Sequence, residues 1–136
     1  MSGDRALMAD YHKLRVWQTS HKLVEHIYKL ARRVAKGGEG DLARQMKRAA
    51  GSVPANIVEG SGHDSRKEFA RFLRYAAASA AELEEHLVQA VDVGALYLWH
   101  VAPALERNTQ NRKMLRGLIK RVDPDGDNEM VGLSNP

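Results

Sequence analysis

The chain has 136 residues, 21 of them Lys or Arg and 17 Asp or Glu, for a net charge of +4 at pH 7; its length suits one domain rather than two. There is no cysteine, which excludes disulfides, thiolate zinc sites and cysteine nucleophiles and fits a reducing cytoplasm. No apolar run reaches the roughly 18 residues of a membrane span, and the opening MSGDRALMADYHKL lacks a signal peptide's apolar segment, so a cytoplasmic protein without membrane contact is expected.

Helical periodicity recurs four times, and strand alternation is not sustained anywhere. The first helix is expected over about Val16 to Lys36. Its stripe is Leu23, Ile27, Leu30 and Val34, with Val24, Tyr28 and Ala31 alongside and Gly37, Gly38 and Gly40 ending it. The second runs from about Asp41 to Gly60 on Leu42, Met46, Ala49, Val53 and Ile57. The third opens on a capping box, Ser65 with Glu68. It holds phase through Phe69, Phe72, Leu73, Ala76, Ala80, Leu83, Leu87, Ala90 and Val91 until Gly94. The fourth, about His100 to Val122, accepts Pro103 in its first turn. Its stripe Val101, Leu105, Leu115, Leu118, Ile119 and Val122 is interrupted by Asn108 and Arg112. Residues 1–14 read as a flexible extension, 15–122 as the helical domain, and 123–136 as an acidic, disordered tail.

Four long amphipathic helices joined by short loops predict an all-α fold, an antiparallel up-down-up-down four-helix bundle. Di-iron bundles need inward Glu-x-x-His motifs, and none occurs here. Glu82 and His86 lie one turn apart and read as a helix-surface ion pair rather than a metal site. All six histidines read as surface or bundle-edge residues, and neither a metal nor a cofactor is expected. Nor is any nucleophile–base pair evident, so the chain is not expected to be an enzyme.

The loop Gly60-Ser61-Gly62-His63-Asp64 leads into a helix N-terminus, where free N–H groups can hold an anion. Alternatively its glycines supply only the positive φ angles of a tight connection, and Asp64 argues against an anion. Pro54 falls inside the second helix and predicts a kink near Ala50–Val53. Around it Ala49, Ala50, Gly51, Ser52 and Ala55 are small, as are Ala76 to Ala81 of the third helix, which favours close helix approach.

Folding the second helix on the third about residue 62 or 63 places Arg44, Lys47 and Arg48 opposite Glu82, Glu84 and Glu85, where ion pairing is expected. The opposite end gathers Arg66, Lys67, Arg71 and Arg74 with Arg116, Lys120 and Arg121 of the fourth helix, and with Lys13, Arg15 and Lys22. Such a patch binds phosphate backbones without reading sequence; the competing account is an ordinary solvated face, partly neutralised by the tail.

The stretch from Leu14 to Leu96 resembles the bacterial 23S rRNA-intervening-sequence protein family. The marks are Leu14-Arg15-Val16-Trp17-Gln18 with His21, Gln45-Met46-Lys47-Arg48-Ala49-Ala50, and above all Ser52-Val53-Pro54-Ala55-Asn56-Ile57-Val58-Glu59-Gly60-Ser61-Gly62. Ser65, Lys67-Glu68-Phe69, Arg71-Phe72-Leu73 and Ala81-Glu82-Leu83-Glu84 follow. The resemblance implies a four-helix bundle assembling into a ring-shaped homopentamer, with Pro54, Asn56, Glu59, Gly60, Gly62, Ser65, Glu68 and Glu82 as structural motif residues. It also implies possible RNA or DNA binding, by analogy with basic pentameric relatives in diversity-generating retroelements. His63 stands where the family commonly has Arg. The functional expectation is therefore a non-catalytic oligomer that binds nucleic acid or a ribonucleoprotein through its basic end. The alternative is an adaptor whose ring docks another protein without nucleic acid.

Overall fold

The computed structural model describes residues 10–126, and four α-helices account for most of them. Helix α1 spans Arg15–Lys36, α2 Gly40–Ser61, α3 Arg66–Asp92 and α4 Leu98–Val122, with one 3-10 turn at Tyr11–Lys13 ahead of them. No strand occurs among the described residues.

The helix ends follow from local chemistry. After α1, Gly38 adopts φ 95°, and the N–H of Glu39 reaches back to the Val34 carbonyl at 3.2 Å, the 6→1 bond of a left-handed helix terminus. Gly94 (φ 79°) closes α3 in the same way, with the Ala95 N–H on the Ala90 carbonyl at 2.9 Å. The positive-φ role expected of Gly60 and Gly62 is overturned. Gly60 is the penultimate residue of α2, and Gly62 has φ −79°. Gly60 serves contact instead: a Cβ there would lie 2.8 Å from the Phe72 Cβ and 3.0 Å from a Phe69 ring carbon. Only a bare backbone lets α3 come that close.

Two further expectations change. At the start of α3 the Ser65 Oγ accepts from the Glu68 N–H at 3.2 Å, which is half of the capping box. The Glu68 carboxylate pairs with Arg71 at 3.1 Å instead of returning to Ser65. Helix α4 begins at Leu98, so Pro103 lies beyond the first turn and leaves the Trp99 carbonyl without its helical donor. The Tyr97 N–H ahead of the helix is held by His100 Nδ1 at 2.9 Å. Pro54 is buried inside α2, whose helix runs through it to Ser61.

Rising residue numbers on one helix meet falling numbers on the next. Between α2 and α3, Arg48 pairs with Glu82, Ser52 bonds Ser79, and Gly60 lies against Phe69 and Phe72. Between α3 and α4, Arg66 bonds the carbonyls of Arg121 and Val122, Arg74 pairs with Asp123, and Asn108 bonds the Ala80 carbonyl. Thr19 of α1 meets Asn111 of α4.

Burial splits the core into two apolar clusters. One holds Leu23, Ile27, Leu30 and Val34 with Leu42, Met46, Leu83, Leu87 and Val101. The other holds Val16, Val53, Ile57, Phe69, Leu73, Leu115 and Val122. Polar side chains mark the level between them. Ser20 falls between Val16 and Leu23 on α1, and buried Asn108 and Asn111 fall between Ala104 and Leu115 on α4. The Ser52–Ser79 hydroxyl pair, at 2.8 Å, continues this level across α2 and α3. Asn108, which interrupts the fourth stripe, is thus fully interior, as is Asn111.

The packed body reaches past both expected boundaries. Leu14 is buried and Tyr11 packs against the second cluster. At the other end, Asp123 pairs with Arg74 and Gly126 is buried. The rest of the expected extension and tail, residues 1–9 and 127–136, lies outside the described residues.

Candidate nucleic-acid interface

Helix polarity brings the first turns of α3 to the last turns of α4. Arg66 Nε donates to the Val122 carbonyl at 2.9 Å, and a second guanidinium nitrogen donates to that of Arg121 at 2.8 Å. The guanidinium thus satisfies carbonyls that the end of α4 leaves without intrahelical donors. This clasp sets Arg66, Lys67, Arg71 and Arg74 at the same end as Arg116, Lys120 and Arg121, as sequence folding expects.

Their charges are not equally available. Arg71 bonds the Tyr75 hydroxyl at 2.8 Å and Glu68 at 3.1 Å; the Tyr75 bond first and the Glu68 contacts second raise its already high pKa. Arg74 is half-buried and paired with Asp123 at 3.5 Å. Arg116, Lys120 and Arg121 are exposed, and their side chains have no ion pair among the described residues.

Of the motif residues, Pro54 and Gly60 are buried, Asn56 and Glu68 half-buried, and Glu59, Gly62, Ser65 and Glu82 exposed. Asn56 Nδ2 donates to the Ser52 carbonyl and hydroxyl at 2.8 and 2.9 Å, and Ser52 in turn meets Ser79. Glu59 lies 3.9 Å from His63 Nε2, and the His63 ring stacks on Phe72 at 5.1 Å. Farther along, Glu82 lies 3.3 Å from Arg48 and 3.7 Å from His86. Of the three cations expected opposite the acidic stretch of α3, Arg48 pairs there. Arg44 pairs with Asp41, and Lys47 sits over the Tyr28 ring at 5.5 Å. Arg112 of α4 takes Glu84 instead.

His86 is buried, against the expectation that all six histidines are surface or bundle-edge residues. Its two ring nitrogens have no hydrogen-bond partner among the described residues, because position 86 faces the packed interior while Glu82, one turn earlier, engages Arg48. Among the described residues no group of three His, Asp or Glu side chains could hold a metal ion.

Two features escaped sequence reading. The first is a groove of about 610 Å³ between α1 and α4, with Arg15, Thr19 and Lys22 on one wall and Arg107, Gln110 and Asn111 on the other. It meets the core at the polar level. The second lies at the opposite end of the bundle, where Tyr97, Leu98 and Trp99 are 69%, 64% and 70% exposed and His100 stacks on Trp99 at 3.8 Å.

The sequence pattern described as 23S rRNA-intervening sequence protein matches residues 12–117. The chain belongs to this family. A crystal structure of a protein of unknown function from the S23 ribosomal protein family of Bacteroides thetaiotaomicron VPI-5482 is similar, with 25% identity and a TM-score of 0.74. The match covers 77% of this chain and 98% of that one. No curated protein sequence matches. The family match spans α1 to α3 and most of α4, so all the motif residues and all the basic-end residues except Lys120 and Arg121 fall within it. Among the described residues no helix is long and apolar enough to cross a membrane.

Proposed function

We propose that this family member is a non-catalytic, cytoplasmic homo-oligomer that binds nucleic acid, alone or within a ribonucleoprotein, through the end bearing Arg66, Lys67, Arg71, Arg74, Arg116, Lys120 and Arg121. The observation that carries the reading is the Arg66 clasp, which sets two helix ends' worth of cations side by side. Lysine and arginine contact phosphates without discriminating bases, so binding is sequence-tolerant and strongly salt-dependent. The likeness to an S23 ribosomal protein family member favours an RNA-containing partner over a metabolite.

The assembly proposed is a ring of five antiparallel up-down-up-down bundles. The opposite residue order across α2–α3 and across α3–α4 supports the bundle topology. The ring rests on family resemblance, and five copies would multiply the field of the basic end. Sedimentation at micromolar protein should give about five times the 15.2 kDa chain mass, and a monomer refutes the ring.

Binding is tested by titrating labelled RNA with paired charge reversals. Lys120→Glu with Arg121→Glu should abolish binding, since these cations are exposed and hold no carboxylate among the described residues. Arg71→Glu with Arg74→Glu should weaken it. Arg44→Glu with Lys47→Glu, near the acidic stretch of α3, should matter least. A second reading, an adaptor that docks protein, is favoured by one observation: the exposed Tyr97-Leu98-Trp99 cluster at the far end, since contiguous exposed apolar surface marks interaction sites. Wild-type protein that retains no RNA at low salt would leave the adaptor reading standing.

A further inference from the structure

The groove between α1 and α4 joins three properties that occur together in no other part of the surface described above. Its volume, about 610 Å³, falls in the range of small-molecule sites, roughly 300–1,000 Å³. Three cations, Arg15, Lys22 and Arg107, line it against the single carboxylate of Glu106. None of the three has an ion pair among the described residues, whereas Arg44, Arg48, Arg71, Arg74 and Arg112 each hold a carboxylate.

Its inner wall is polar although it adjoins the core. Asn111 lines it and is fully buried; its Oδ1 accepts from the Thr19 hydroxyl at 2.5 Å, and its Nδ2 has no partner among the described residues. An interior amide nitrogen without an acceptor is costly, about 1–3 kcal/mol in general, unless something entering the groove supplies one. Gln110 offers a second amide, and Met114 and Pro103 offer apolar surface. Burial first, and then the charges of Arg107 and Lys29, lower the pKa of the neighbouring His26, so Arg107 acts as a positive charge on its surroundings only as the second contribution.

We propose that the α1–α4 groove holds a nucleotide unit, its phosphate ester on Arg15, Lys22 and Arg107 and its base against Met114 with its edge on Gln110 and Asn111. Cations neutralise the phosphate, and side-chain amides pair with the exposed edges of unstacked bases. The proposal deepens the nucleic-acid reading and rests on it for the source of the nucleotide. Arg15 opens α1 at the end where Arg121 closes α4, so a single strand held at the basic end can continue into the groove. A free mononucleotide has the same chemistry and is the other source.

The test follows the side-chain amide signals of Gln110 and Asn111 by NMR in the full-length protein. The probes are a short single-stranded RNA, a nucleoside monophosphate and inorganic phosphate. Lys22→Glu with Arg107→Glu, both exposed positions, removes the cations; helix content by circular dichroism checks folding, and Asn111→Leu removes the amide alone. The expected result is that RNA shifts both amide signals and that the double variant loses about tenfold or more in RNA affinity. The nucleoside monophosphate should move the same signals at lower concentration than inorganic phosphate. If the double variant binds RNA as tightly as wild type while Lys120→Glu with Arg121→Glu does not, the groove proposal is overturned and the basic-end reading survives. If RNA does not bind but the monophosphate shifts both amides, the groove stands with the free nucleotide as its ligand and the nucleic-acid reading fails. Equal shifts from phosphate and monophosphate would overturn recognition of the base.

Discussion

The α2–α3 and α1–α4 seams are built on opposite principles. Across α2–α3, Gly60 leaves no room for a Cβ against Phe69 and Phe72, and Ser52 meets Ser79 directly at 2.8 Å. Small side chains allow this close approach. Across α1–α4, Thr19 and Asn111 touch through one hydrogen bond, and a groove opens beside them. A bundle closed tightly on one side and held apart by polar residues on another has somewhere to admit a ligand without remodelling its core. Interior packing at near-crystalline density tolerates little change in volume on the closed side.

That contrast can be broken by overfilling the closed seam. Gly60→Leu should cost the most, about 3 kcal/mol, at the upper end of overpacking penalties because the clash begins at Cβ. Thermal or urea unfolding measures it, and a loss below about 0.5 kcal/mol, the scale of a surface substitution, would mean the seam is not closed. Ala80→Leu comes next, at about 2 kcal/mol. Ala80 is fully buried, and its carbonyl also accepts from Asn108 at 2.8 Å. The exposed Lys113→Leu is the control and should change stability by no more than about 0.5 kcal/mol. Equal melting temperatures for Ala80→Leu and Lys113→Leu would show that the alanine segment is not a tight contact.

The open seam should respond differently. Asn111→Leu alone removes an amide nitrogen without a partner among the described residues but also the Oδ1 that accepts from the Thr19 hydroxyl; paired with Thr19→Val it replaces both partners by apolar groups, which can be nearly neutral or stabilising. The unfolding midpoint of the double variant should hold or rise, and a large loss would mean that the amide is satisfied within the fold. The smallest effect concerns pH. The pKa of His26 lies below its unfolded value, chiefly through burial and then through Arg107 and Lys29. Below pH about 6.5 the unfolded chain takes that proton more readily, so stability falls as pH drops through this window and is fully present above it. His26→Gln should flatten that limb of the stability–pH curve, and an unchanged slope would contradict the assignment.

The elements themselves were legible because periodicity and punctuation are local. The stripe from Phe69 to Ala90 and the glycines at 38 and 94 depend only on neighbours in sequence. Gly60 was misread for the opposite reason: its constraint comes from Phe69 and Phe72 across the loop, and a glycine's need for space looks the same in sequence as its need for a positive φ. Asn108 reads as an interruption, and Asn111 goes unremarked, because a stripe shows apolar continuity and not what lies at equal height on other helices. Folding about residue 62 or 63 pairs 52 with 72 to 74 rather than with the observed 79, and no loop joins α1 to α4, so the polar level at which 52 meets 79, 80 meets 108 and 19 meets 111 stayed hidden. Folding α3 on α4 did bring Arg66 to the end that holds Arg121, but it could not show that Glu68 and Asp123 would already occupy Arg71 and Arg74. Nor could it show that Arg15, Lys22 and Arg107, which hold no carboxylate among the described residues, would line one groove.

Positive charge left without a carboxylate on these helices holds phosphate, by the reading proposed above. Fluorescence anisotropy of a labelled single-stranded RNA, titrated with full-length protein across a salt series, measures this. The predicted result is a linear fall of log affinity with log salt, with a slope of about −0.7 for each phosphate neutralised and little difference between RNA sequences. Affinity that does not change with salt, or no binding at the lowest salt, would contradict it.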